Sequence, residues 1–112
     1  MAEVDRAWNS EDYMRRAARV DGNQSSLVAE LRKIGACVYP THTVGGGFPD
    51  LVVAYCGRNY LVEVKDPSKP PSRRRLTKEE QDFFDSWSGP KFIVESLDGF
   101  LDQIKEHEAR VV

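Results

Sequence analysis

Long apolar runs are missing from this chain. Nowhere do its 112 residues approach the ~18–20 consecutive apolar positions that cross a bilayer. The opening segment, MAEVDRAWNSEDYM, lacks the basic-then-apolar layout of a secretory signal. No membrane role is expected, and the expected location is the cytoplasm. Cysteine is scarce as well. Cys37 and Cys56 have no CxxC or Cys/His spacing, which argues against zinc or a redox pair and predicts two reduced, partly buried thiols. Net charge is only −2, too little for a protein that coats nucleic acid by bulk electrostatics. Internal repeats and low-complexity tracts are also missing.

What remains is a globular composition, 40% hydrophobic and 30% charged, in a length suited to one domain with a modest core. Its charge is unevenly spread. From Asp66 to Lys78, Lys69, Arg73, Arg74, Arg75 and Lys78 face Asp66 alone, a local +4. From Glu95 to Glu108, five carboxylates face Lys105, a local −4. One face can therefore be basic on a slightly acidic molecule.

Residues 1–20 are expected to form an N-terminal helical arm, in which Ser10 can cap a short helix through Arg19, the alternatives being an ordered arm without helix or a frayed one, and residues 21–112 a single domain. Leu27, Val28, Leu31 and Ile34 recur at helical spacing and predict a helix over 24–34, stopped by Gly35. A short strand, Cys37 to Tyr39, ends at Pro40, and the Gly45-Gly46-Gly47 run predicts a loop. Strands are expected over 50–55 and 60–65, joined by a tight turn with Gly57 first and Arg58 second. Three prolines make 66–76 an irregular arm. Thr77 and Glu80 form a T-x-x-E capping box for a second helix, which carries Phe83, Phe84 and Trp87. A strand at 92–94 and a helix at 97–109 complete the order α-β-β-β-α-β-α. The fold class is α/β, a mixed sheet flanked by helices.

The hairpin carries the chemical inference. A Gly57-Arg58 turn pairs Val52 with Glu63 and Asp50 with Lys65. Alternation then sends Asp50, Glu63 and Lys65 to one face, and Leu51, Val53, Val62 and Val64 to the other. The register that buries the apolar set also gathers two carboxylates and a lysine. Hydrolysing a phosphodiester calls for that combination. Asp50 and Glu63 are hard oxygen ligands for Mg²⁺ or Mn²⁺, with the Val64 carbonyl as a third oxygen. Lys65 can orient or help deprotonate a water and screen developing charge. Taken singly, Pro49-Asp50 is a common turn and Glu63-Val64-Lys65 a common solvated strand face. Their convergence is what signals a site.

Pro49-Asp50, twelve residues, then Glu63-Val64-Lys65 resembles the PD-(D/E)XK nuclease signature. More narrowly, GGGFPDLVVAYCGRNYLVEVKDPSKPPSRRRLTKEEQ resembles the virus-type replication-repair nuclease (VRR-NUC) group and related small phage proteins. The likeness spans roughly Asp21 to Ser96. It implies a restriction-endonuclease-like core, a Mg²⁺- or Mn²⁺-dependent endonuclease activity, and no organic cofactor. It also implies that Gln81 joins the catalytic set, reaching back toward Lys65. Many members carry a glutamate early in the first helix that completes the metal site. Here Gln24 stands at that place, able to hold a metal-bound water, with Glu30 the alternative. For single-domain viral members the resemblance implies homodimers acting on branched DNA such as Holliday junctions. For a phage-encoded chain the location becomes the bacterial host cytoplasm.

Arg73, Arg74 and Arg75, with Lys69, are expected to clamp phosphates, since the arginine fork matches phosphate oxygens. His42, before the glycines, is a further candidate for substrate contact, although a solvent-facing role suits it better. His107 reads as structural and Trp87 as core. Two rival readings stand beside the nuclease. One is a nuclease-like module that binds nucleic acid or a partner without cutting, favoured by the Gln24 replacement. The other is a sequence-specific restriction enzyme, which so short a chain without a recognition insert disfavours.

Overall fold

The computed structural model describes residues 22–111, so the expected N-terminal helix lies outside the described residues. The first described helix, α1 (Gln24–Lys33), buries Leu27, Val28 and Leu31, with Arg32 and Lys33 favourably placed in its last turn. The Gly35 N–H donates to the Arg32 carbonyl and the Ala36 N–H to that of Leu31. This paired closure turns the chain out of the helix and into the sheet.

Four strands follow in spatial order β1 (Cys37–Pro40), β2 (Leu51–Tyr55), β3 (Arg58–Val64) and β4 (Lys91–Val94). β1 with β2 and β2 with β3 are antiparallel, whereas β4 joins β3 in parallel. A parallel neighbour requires a crossover. It comprises a one-turn helix, α2 (Pro71–Arg74), and α3 (Lys78–Ser86), before α4 (Leu97–Val111) closes the domain. The arm at 66–76 is thus not irregular throughout. Proline at the first helical position, with Arg73 and Arg74 in the turn behind it, suffices for one turn.

α1 packs on β1, α4 packs on β4, and the two helices touch, so both cover one face of the sheet. Leu51, Val53, Tyr60, Val62, Val64 and Phe92 point into that layer with Leu31 and Phe100. The Tyr60 ring stacks on Phe92 and meets Phe100 edge-on. Alternation sends Glu63 and the following Lys65 to the opposite face, which α3 flanks. The architecture is a small α/β domain with a mixed four-stranded sheet and, among the described residues, four helices. No described helix is long and apolar enough to cross a membrane.

The hairpin register differs from expectation by two residues. Leu51 pairs with Val62, Val52 with Leu61 and Tyr55 with Arg58, so the turn is Cys56-Gly57. Both turn residues take positive φ, 52° and 79°, the mirror-image turn whose twist matches that of the strands. One glycine in the segment left either dipeptide open, and the cysteine disguised the left-handed first position. A two-residue slip preserves faces, so the trio stays together.

Two further expectations fail. Cys37 and Cys56 are exposed free thiols rather than partly buried ones. Trp87 is no core residue. α3 ends at Ser86, so Trp87 leaves the helical path, stays 40% exposed and stacks on Phe83 with ring centroids 5.3 Å apart. His107 does pack structurally, edge-on to Tyr60 and Phe92.

Candidate active site

Asp50 sits immediately before β2, held from both sides. The Thr41 hydroxyl donates to the Pro49 carbonyl at 2.8 Å, and the Thr41 N–H to the Asp50 carbonyl at 2.7 Å. Across the hairpin, Asp50 Oδ2 accepts from the Val64 N–H at 2.8 Å. The carboxylate therefore continues the ladder after the β2 backbone has ended, at the level of Glu63. The Lys65 N–H donates to the Val94 carbonyl on the β4 side. The peptide is planar and trans, so the Val64 carbonyl bonded to that nitrogen points the opposite way, toward Asp50. This is the direction a metal-binding carbonyl requires.

Glu63 and Lys65 are buried, at 3% and 8% relative exposure, which sets them apart from a solvated strand face. Lys65 Nζ lies 3.4 Å from Glu63 Oε2 and 3.1 Å from Glu80 Oε1. Burial first, then the Asp50 carboxylate and Glu80, push the Glu63 carboxyl up to about 9, against a smaller opposing pull from Lys65. Burial also works against charge on Glu80, but hydrogen bonds from Glu63 and the Thr77 N–H, with Lys65, outweigh it and hold Glu80 low. Of the two carboxyls, Glu63 is the one pushed up and Glu80 the one held down. For Lys65 burial opposes the ammonium, yet Glu80 and Glu63 prevail and raise it above the ordinary lysine value. A lysine base needs a depressed pKa, whereas these neighbours favour the ammonium form of Lys65.

Gln81 does not reach back to Lys65. It is exposed and donates to Asp85 Oδ1 at 2.8 Å, one helical turn on. Glu80, one residue earlier, faces the strand instead. A capping-box motif is visible in sequence, but which strand lies opposite its carboxylate is a tertiary fact. Gln24 is buried, and among the described residues its side-chain oxygen has no hydrogen-bond partner. Its neighbour Asn23 donates to the carbonyls of Lys65 and Glu95, so this end of α1 abuts the ends of β3 and β4. Glu30 is exposed on the same helix.

Asp50 and Glu80 open onto a cleft of about 780 Å³, rimmed by His42, the glycine loop, Phe48 and Thr77 to Glu79. His42, a weak candidate from sequence, lines this cleft beside Asp50. Gly47 lies so close to α3 that an added Cβ would come within 2.3 Å of the Glu79 carbonyl oxygen. Only glycine lets the loop seat there, which gives the Gly45–Gly47 run its reason. The basic arm ends at the cleft rim, since Arg75 is two residues from Thr77. Lys69, Arg73 and Arg75 are exposed, whereas Arg74 is half-buried and pairs with Glu95 at 3.5 Å.

Asp50, Glu63 and the Val64 carbonyl form an all-oxygen donor set, suited to Mg²⁺ or Mn²⁺. Among the described residues no three His, Cys, Asp or Glu side chains gather as a metal-holding group. A hard cation would rest on two carboxylates, a backbone oxygen and water, which is how Mg²⁺ is commonly held. Burial chiefly, and the facing Asp50 carboxylate next, disfavour charge on Glu63, and a bound cation would offset both. Comparison with protein-family models, with curated proteins and with solved structures finds no match to this chain.

Proposed function

We propose that the domain is a divalent-metal-dependent DNA endonuclease with a PD-(D/E)XK core of the VRR-NUC kind. The observation that carries this is the placement of Asp50 level with Glu63 across the hairpin. Lys65 is buried on the same face, and Asp50 opens onto a cleft. A pure binding module has no need to bury Glu63 and Lys65 beside a half-buried Asp50, because ionisable groups are costly to desolvate.

When bound, Mg²⁺ or Mn²⁺ polarises the phosphate and supplies an activated water. The chain's own groups do the rest. Asp50 and Glu63, with the Val64 carbonyl, hold the cation, and Gln24 offers a neutral oxygen in place of a carboxylate. The Lys65 ammonium stabilises charge that builds on the phosphate oxygens. Arg73 and Arg75, with Lys69, grip flanking phosphates without reading bases. The substrate is branched DNA and the working form a homodimer, because resolving a four-way junction takes two symmetry-related cuts and one subunit offers one site. Such a protein acts in the cytoplasm, that of a bacterial host for a phage-encoded chain.

The test is incubation of purified protein with duplex, flap and four-way-junction DNAs in Mg²⁺, Mn²⁺ or EDTA. Cleavage strictly dependent on metal, preferring the junction and abolished in Asp50→Ala, is expected. Cleavage that persists in EDTA, or in Asp50→Ala, refutes the mechanism. One observation favours a second reading, a module that binds without cutting: no third carboxylate completes the metal group among the described residues. Junction binding with no cleavage in either metal would establish that reading instead.

A further inference from the structure

From the sequence, Glu80 is the N3 carboxylate of a capping box and nothing more. In the fold its Oε1 has two partners from different elements, the Thr77 N–H at 2.8 Å and Lys65 Nζ at 3.1 Å. The other acidic neighbour of the ammonium, Glu63 Oε2, is farther off at 3.4 Å and belongs to the lysine's own strand. A lysine side chain is a flexible four-carbon stem, and contacts from its own strand restrict it on one flank only. The contact from α3 supplies the second flank.

Glu80 is itself firmly placed. The Thr77 hydroxyl accepts from the Glu80 N–H at 3.2 Å, completing the reciprocal box. Gly47 rests directly on the Glu79–Glu80 peptide, and Phe48 meets Phe83 edge-on with ring centroids 5.2 Å apart. The glycine loop, α3 and β3 therefore converge on one carboxylate. The segment from Asp66 to Leu76, which joins β3 to that helix, is the arm assigned above to phosphate contact.

We propose that Glu80 is a positioning residue for Lys65, and that it makes the lysine's placement conditional on the seating of α3 and its cap. Force on the arm moves Thr77, and Thr77 shares an oxygen with the ammonium. Substrate engagement is thereby linked to where the catalytic cation sits. The inference rests on the nuclease reading for its kinetic consequence but not for its structural one.

The experiment joins NMR of the labelled wild-type protein to kinetics of Glu80 variants. In the wild type, the Lys65 ammonium should give a slowly exchanging signal with a scalar coupling across the hydrogen bond to the Glu80 carboxylate carbon. Glutamine also serves at N3 of a capping box, so Glu80→Gln should keep its helix content and melting temperature close to wild type. It should lose the slow Lys65 signal and cut kcat by about ten- to a hundredfold, in line with losing one charged hydrogen bond, with little change in KM. Glu80→Ala should lose both melting temperature and kcat. Glu80→Asp, which keeps the charge on a shorter stem, should recover part of kcat. A wild-type Lys65 signal coupled to no Glu80 carbon overturns the proposal, as does Glu80→Gln with unaltered kcat. Should Glu80→Gln fail to fold, the wild-type coupling decides alone. A wild type that cuts no DNA refutes the nuclease reading, and the coupling still decides this one.

Discussion

Removing the charge that Glu63 is able to carry should make the metal-free protein more stable and less dependent on pH. Burial, Asp50 and Glu80 push this carboxyl from an ordinary 4.5 up to about 9. Between those values the native state keeps a proton that the unfolded chain has released. The contribution to stability is complete below 4.5 and is lost as pH rises through about 9. In that window stability falls by up to about 1.4 kcal/mol per pH unit. Other shifted groups act outside it. Glu80 and Asp66 are lowered carboxyls whose contributions fade in acid, and Lys65, Tyr55 and Tyr60 are raised and titrate in alkali. Glu63→Gln mimics the protonated carboxyl and should abolish the slope. At about pH 8 it should exceed the wild type by on the order of 5 kcal/mol. Urea unfolding in EDTA from about pH 5 to about pH 9 measures both proteins, and their difference cancels every group they share. Added Mn²⁺ should stabilise the wild type more at high pH, with affinity rising up to about tenfold per pH unit while one proton is displaced. Parallel stability curves for wild type and Glu63→Gln would refute the reasoning.

Lys65→Ala should lower the cleavage rate by on the order of 10²-fold with the fold intact, as read by single-turnover kinetics and circular dichroism. Exposed Arg73 and Arg75, rather than the Glu95-paired Arg74, should carry phosphate binding. Alanine at both should weaken binding to all sequences alike and flatten the log–log salt dependence by roughly 0.9 per lost contact, whereas a changed base preference would contradict positioning. Cys56 holds a φ of 52°, which asparagine tolerates far better, so Cys56→Asn should gain about 0.5–1 kcal/mol in thermal unfolding.

The sequence made most of the elements legible because their signals are local. The stripe of Leu27, Val28 and Leu31, the stop at Gly35 and the Thr77–Glu80 box each act within a few residues, and each element stands where expected. The apolar alternation of β2 and β3 assigned the right residues to each face. Less legible was whatever depends on contact between distant segments. The exposure of Trp87 goes with α3 ending at Ser86, where the chain leaves the helical path on which the apolar spacing was counted. Gln81 and Glu80 are neighbours on a helix, so a rotation of about 100° decides which one meets Lys65, and only packing sets that rotation. The pairing of Arg74 with Glu95 escaped for the same reason, whereas the arm's single helical turn rests on a local signal, Pro71 at the first helical position, which the run of prolines obscured.

The register of the hairpin has a consequence for how this domain can change over generations. Lengthening or shortening the β2–β3 tip by two residues slides the strands yet returns every side chain to its own face, leaving Asp50 and Glu63 on the same side. A single-residue insertion or deletion between Leu51 and Val62 is a different event. It turns one strand over relative to the other, so that either Leu51 and Val53 or Val62 and Val64 would face the cleft while carboxylate or lysine entered the apolar layer. Surviving length variants of this hairpin should therefore differ in steps of two, unless a bulge absorbs the odd residue. The arithmetic that conserves the core is the same arithmetic that conserves the acidic pair.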